Sequence, residues 1–208
     1  LSIITTKIII IIIINDQILA TTSVNGTSVV WDLKQKRPIV PFTNSQNRKR
    51  YSSLAWNPEL STQLVTASED DNSPVIELWD LRKAYAPVRE YVGHTKGILS
   101  VSWCPDDSNL LVSCGKDNRT LIWNPNSGEV LGELPTSNNW MYDVQWSKRP
   151  SILSTSSYDG KISIISLQDS SATLDVGDYA RDALGLESKP ASAVQKNVFK
   201  TAPKWLQR

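Results

Sequence analysis

The chain has 208 residues, 40% of them hydrophobic, which is enough for a packed core and too apolar for global disorder. Lys and Arg number 22 against 21 Asp and Glu, a net charge of +1 that gives no support to whole-domain attraction to nucleic acid or acidic membrane. A single His excludes a His-based proton relay or multi-His metal site, and two Cys without metal-ligand spacing exclude a zinc-finger framework.

The first residue is Leu1 and the sole methionine is Met141, so the sequence reads as processed, cut from a longer chain or taken from an incomplete gene model. Residues 1–16 contain seven consecutive isoleucines, Ile8 to Ile14. This apolar stretch is shorter than the roughly 20 residues a membrane helix needs. Lys7 is poorly placed for a signal peptide, and Asn15-Asp16-Gln17 offers no cleavage site. A homopolymer also lacks strand alternation, so the segment reads as a low-complexity or mis-assigned end; the alternative is one fully buried strand. No signal and two thiols without evident pairing point to a reducing compartment, the cytosol.

From Gln17 to Leu167 the chain repeats. Trp56, Trp103 and Trp146 each end a short apolar run, at intervals of 47 and 43. Trp31, Trp79 and Trp123 form a second series at intervals of 48 and 44, continued 42 residues later by Ile165. Two interleaved series at one period predict a structural repeat in the range of propeller blades. The best-defined repeat divides into strands at Ile98–Trp103, Asn109–Cys114, Thr120–Trp123 and Val130–Leu134. The breaks are Asn, Asp, Gly and Pro, which are hairpin signals, so the fold class is all-β. A finer signature recurs: a hydroxyl stands four residues before a turn Asp or Asn, as Thr21 before Asn25, Thr66 before Asp70, Ser113 before Asp117 and Thr155 before Asp159. A carboxylate in such a turn can accept bonds from its own backbone and from a neighbouring hydroxyl.

These residues resemble the WD-repeat β-propellers: Gly93-His94 before the first strand, Asp117 in the turn, and Trp31-Asp32 and Trp79-Asp80 closing the third strand. The resemblance implies a structural hydrogen-bond relay of His94, Ser113, Asp117 and Trp123, complete in that one repeat. Asn47 and Ser137 stand where other blades would place the His. About three and a half blades are legible, against the four to eight of a closed ring. The expectation is therefore a partial propeller over 17–168, the C-terminal half of a seven-bladed ring, with two blade faces left open.

The run from Leu111 to Asp117, then Trp123 to Leu131, Glu133-Leu134-Pro135-Thr136 and Asp143 to Trp146, resembles the last blades of the larger subunit of the COPII vesicle-coat outer cage. Ala202-Pro203-Lys204-Trp205-Leu206 matches as well; in that family a Pro-Lys-Trp segment leads into strands that complete the smaller cage subunit's propeller. The resemblance implies a scaffold at the vertices of a polyhedral cage, with no enzymatic activity and no cofactor. It implies as partners the smaller WD-repeat subunit, other copies of the cage subunit, and the inner coat with its GTPase through regions absent here. It places the protein on the cytosolic face of the endoplasmic reticulum membrane and on COPII vesicles, peripheral to the membrane through the coat alone. The alternative is a generic WD-repeat adaptor, a substrate receptor or chromatin module.

Other residues give weaker signals. His94 as a base or ligand has no second His or Cys beside it. Cys104 and Cys114 lie in neighbouring strands of one repeat and read as buried thiols. Asp117 and Asp159 occupy equivalent turns of different repeats, too far apart for acid–base work. Lys34, Lys36, Arg37, Arg48, Lys49 and Arg50 form a basic stretch free of acids. It reads as a solvated loop, with Arg48, Lys49 and Arg50 as candidate partner contacts. Nucleic acid is the weaker use because no aromatic stacking platform surrounds the stretch apart from Tyr51. Residues 169–208 lose the repeat and read as a linker carrying Lys204 and Trp205, further candidate contacts.

Overall fold

The computed structural model describes residues 8–12, 17–23, 26–43, 49–134, 138–147, 152–167 and 173–175. These form four antiparallel four-stranded sheets, each built from four strands consecutive in sequence. Blade 1 holds β1 (Ile8–Ile12), β2 (Ile18–Ser23), β3 (Ser28–Asp32) and β4 (Arg37–Phe42). Blade 2 holds β5 (Tyr51–Trp56), β6 (Gln63–Ser68), β7 (Val75–Asp80) and β8 (Arg89–Val92), with a 3₁₀ turn Leu81–Lys83 capped by Asp80. Blade 3 holds β9 (Ile98–Trp103), β10 (Leu111–Gly115), β11 (Thr120–Asn124) and β12 (Glu129–Glu133). Blade 4 holds β13 (Met141–Trp146), β14 (Ile152–Ser157), β15 (Ile162–Ser166) and β16 (Thr173–Asp175). The first strand of each blade lies innermost, β5 against β9 and β9 against β13. No helix among the described residues is long and apolar enough to cross a membrane.

The repeated tryptophans explain the stacking. Within each blade one rung of paired residues crosses the first three strands: Trp56–Leu64–Trp79, Trp103–Leu111–Trp123 and Trp146–Leu153–Ile165. The neighbouring rung points to the other side of the sheet, because side chains alternate along a strand. Its members are Ala20–Val30, Val65–Leu78 and Val112–Ile122. The second rung of one blade packs on the first rung of the next. Val65, Ala67, Ile76 and Leu78 thus share a core cluster with Val101, Trp103, Leu111 and Trp123. Val112, Cys114 and Ile122 do the same with Val144, Leu153 and Ile165. Trp79 and Trp123 are fully buried, and truncating such a side chain to Ala costs about 3–5 kcal/mol.

Corners are closed locally. Asn57 Oδ1 accepts the Glu59 and Leu60 amides, Asp107 Oδ1 the Asn109 amide, and Asn124 Oδ1 the Asn126 amide. These side chains mimic a backbone turn, which is why Asx residues interrupt the strands.

Two expectations change. The isoleucine run reads in sequence as a low-complexity end, yet Ile8–Ile12 pairs antiparallel with Leu19–Ser23 as the first strand of blade 1. β-Branched residues suit a pleated strand even without alternation. Residues 169–208 show no repeat in sequence, yet Thr173–Asp175 pairs with Ser163–Ile165 as the fourth strand of blade 4. Among the described residues these two strands complete the outer sheets, so the partial propeller shows four four-stranded blades.

Candidate functional site

The relay residues converge in blade 3. His94 precedes β9, Ser113 lies on β10, Asp117 in the β10–β11 turn and Trp123 at the end of β11. Trp123 Nε1 donates to Ser113 Oγ at 2.8 Å, and Ser113 Oγ lies 2.7 Å from His94 Nε2. His94 Nδ1 lies 2.9 and 3.0 Å from the two Asp117 oxygens. An Nδ1–H tautomer donates to the carboxylate and leaves Nε2 to accept the Ser113 hydroxyl proton, so every polar group in the chain is used. Asp117 also accepts the Thr95 and Arg119 amides at 3.0 and 3.3 Å. Burial pushes its carboxyl up, but the hydrogen bonds from His94 and from those two amides outweigh that and hold it below the usual carboxylate range. Gly93 is required by close approach: a Cβ there would meet Trp123 Cη2 at 2.6 Å.

The chemistry of this site is positional. His94 is buried and both ring nitrogens are engaged, so no ring nitrogen faces a substrate. The relay ties the segment entering β9 to the β10–β11 turn and to the core tryptophan. Blades 1 and 2 share the inner half: Trp31 Nε1 donates to Thr21 Oγ1 at 2.9 Å and Trp79 Nε1 to Thr66 Oγ1 at 3.0 Å. Blade 4 has Ile165 in the Trp position.

Blade 2 carries a second buried network that the sequence reading missed. Lys49 Nζ donates to Glu77 Oε1 at 2.8 Å and Glu90 Oε1 at 3.0 Å, and Tyr51 Oη donates to Glu77 Oε2 at 2.6 Å. Glu77 and Glu90 are directly opposite on β7 and β8. Like charges in that relation repel, and Lys49 lies between them. Burial pulls the Lys49 ammonium down, but bonds and charge from Glu77 and Glu90 prevail and raise it above its ordinary value. The signal was present in β7: a lone Glu among Val75, Ile76, Leu78 and Trp79 needs a buried partner.

Lys49 is thereby corrected as a partner contact, because its side chain is 4% exposed and bound on two sides. Arg50 is exposed; Arg48, Lys204 and Trp205 lie outside the described residues. Cys104 and Cys114 are free buried thiols. Burial pushes Cys104 up to about 11 and Cys114 higher still, so neither resembles a reactive thiolate. Among the described residues no group of His, Cys, Asp or Glu could hold a metal ion. The innermost strands β5, β9 and β13 line a groove of about 530 Å³ that includes Ser53, Ser100, Ser102 and Asp143. Its polar groups bridge blades: Ser53 Oγ accepts the Val101 amide and Ser100 Oγ donates to Asp143 Oδ1.

Stacked four-stranded sheets with a Trp–Ser–His–Asp relay define a WD-repeat β-propeller array. The model of the WD domain, G-beta repeat, matches residues 85–124 and 128–166. Across 92% of the chain, the sequence is 43% identical to the protein transport protein SEC31 of Mycosarcoma maydis, of which it spans 15%. It is 52% identical to protein transport protein Sec31A of Danio rerio over 74% of the chain and 12% of that protein. A solved chain from "COPII on membranes, outer coat vertex" superposes with TM-score 0.70 and 36% identity, covering 77% of this chain and 44% of that one. The blades described here belong to the Sec31 family, and the chain spans 12 to 15% of the length of these curated relatives.

Proposed function

We propose that this chain is a structural scaffold element of the outer cage of COPII vesicles, acting in endoplasmic reticulum to Golgi transport by protein–protein assembly rather than catalysis. The observation that supports this most is the likeness to the outer coat vertex chain, 36% identical with a TM-score of 0.70. The site agrees in kind: both buried polar networks tie strands and turns together and present no reactive group to solvent. The partners in this reading are the smaller WD-repeat subunit of the coat and other copies of the cage subunit at vertices. The inner coat and its GTPase are engaged through regions other than these blades. The location is the cytosolic face of the endoplasmic reticulum membrane and the vesicles leaving it. Exposed Arg50 and the Lys204-Trp205 segment are the contacts assigned to partners.

The test is localisation and capture. The endogenous gene is tagged, and the protein is imaged against a marker of the inner coat and purified under mild conditions. Puncta coincident with that marker and recovery of the smaller WD-repeat subunit are expected. Nuclear enrichment without coat subunits would contradict the proposal and favour an adaptor role.

A further inference from the structure

Blade 2 packs on a described blade on both sides, through Leu54, Trp56 and Trp79 towards blade 1 and through Val65, Ile76 and Leu78 towards blade 3. Its outermost strand, β8, therefore lies on the perimeter and not at an end of the stack. An outermost strand leaves alternate backbone N–H and C=O groups without a ladder partner, and proteins blunt such edges with proline or charge. β4 carries Pro38 and Pro41, which have no N–H to offer. β12 begins and ends on exposed Glu129 and Glu133. β8 holds no proline, and both of its charged side chains are engaged: Arg89 donates to the Asn126 carbonyl of blade 3, and Glu90 accepts from Lys49. The Tyr91 ring is buried against Trp123, so Arg89 and Tyr91 point towards blade 3, whereas Glu90, Val92 and Val88, just before the strand, point to the opposite side. Val88 and Val92 are 57% and 71% exposed. Between them the Glu90 side chain is 43% exposed. It shares the Lys49 ammonium with Glu77, so the outward side of its carboxylate has room for a second cation.

We propose that β8 is a docking edge that takes an extended segment of a partner protein as a fifth strand of blade 2. The segment carries an apolar residue, a Lys or Arg two positions on, and an apolar residue two beyond that. Backbone bonds to the β8 edge supply the attachment, and the alternate side chains supply the choice of segment. The apolar pair covers Val88 and Val92 and the cation meets Glu90, because residues directly opposite on paired strands interact by size and by charge. Charge decides the occupant: an acidic segment would set a like charge against Glu90. This inference goes beyond the coat reading and stands without it.

The probe is a capped peptide, Thr-Thr-Val-Thr-Lys-Thr-Val-Thr-Thr, whose β-branched residues favour the extended form. It is titrated into the isotope-labelled chain of 208 residues, and the backbone amide shifts are followed by magnetic resonance. Saturable shifts centred on Arg89–Val92 are expected, with a dissociation constant of about 1 mM or tighter. The same peptide with Glu in place of Lys should bind at least about threefold more weakly. Val92→Lys sets a like charge beside the peptide cation and should weaken the Lys peptide about fivefold or more. Ile39→Lys, on the proline-bearing edge β4, should leave binding unchanged. Glu90→Gln keeps an acceptor for Lys49 and should bring the two peptides to within about twofold of each other. No saturable shift up to roughly 5 mM, well above that constant, would overturn the proposal. So would shifts centred away from β8, a Glu peptide that binds as well as the Lys peptide, or a preference for Lys that survives Glu90→Gln.

Discussion

Replacing Lys49 by Met tests whether the blade 2 network is as buried as the geometry indicates. The Lys49 and Glu77 side chains are 4% and 0% exposed, and the variant takes the ammonium away from the Glu77 carboxylate while the Tyr51 hydroxyl bond at 2.6 Å stays. Removing one partner of a buried ion pair costs about 3–5 kcal/mol. The surviving bond places the expected loss near the lower end, about 3 kcal/mol, a large share of the roughly 5–15 kcal/mol that holds a domain together. With a urea slope of about 1–3 kcal/mol per molar, the midpoint should fall by about 1–3 M. In the next blade the positions of Tyr51 and Glu77 hold Ile98 and Leu121, so an apolar solution fits this architecture. The triple variant Lys49→Met, Glu77→Leu, Tyr51→Phe should therefore return to within about 1 kcal/mol of wild type, since swapping a buried pair for apolar groups is often neutral. The assay is urea unfolding followed by tryptophan fluorescence and near-ultraviolet circular dichroism. A Lys49→Met loss below about 1 kcal/mol, or a triple variant no better than the single, would refute the reasoning.

Four further outcomes follow from the same contacts. Ser113→Ala removes the acceptor of the Trp123 N–H and the donor to His94, and should cost about 2 kcal/mol in urea unfolding through unsatisfied buried groups. The Asp117 carboxyl is held below its ordinary value, so its stabilisation is present above the unfolded pKa of about 3.9 and lost as pH falls through the lower native one; Asp117→Asn should flatten that acid limb of stability against pH. The alkaline limb has the opposite sign: burial pushes Tyr91 up to about 12, so stability present below about pH 10 should fall as pH rises through 12, checked by tyrosinate absorbance and circular dichroism together. Cys104 at about 11 leaves on the order of a thousandth as thiolate at pH 8, so a disulfide reagent should label neither Cys until denaturant is added.

The blade pattern was legible because tryptophan occupies a register position where a large, mostly apolar side chain seals each junction. The spacing within Trp56, Trp103 and Trp146, and within Trp31, Trp79 and Trp123, is the spacing from blade to blade of one rung, read on its first and its third strand. The relay was legible for a similar reason: Gly93, His94, Ser113, Asp117 and Trp123 must hold fixed offsets for their bonds to close. The isoleucine strand was not legible, because a homopolymer shows no alternation and any register of pairing looks equivalent. Lys49 was hidden by composition. Flanked by Arg48 and Arg50, it looks like part of a solvated basic loop, and only the fold brings Glu77, 28 residues on, to within 2.8 Å. Gly97 was equally silent, although a Cβ there would lie 2.0 Å from the Glu69 carbonyl oxygen of the neighbouring blade. A glycine demanded by a distant backbone leaves no local mark.

The central claim is that these blades do the work of a Sec31 propeller. The most direct measurement is a chimera: residues 17–167 replace the aligned segment of SEC31 in Mycosarcoma maydis, whose protein is 43% identical across the match, while the native copy is depleted. Release of a secreted reporter is followed over time. The account predicts export close to that of the native gene. A chimera that accumulates to normal levels, remains soluble and still fails to export the reporter would contradict it.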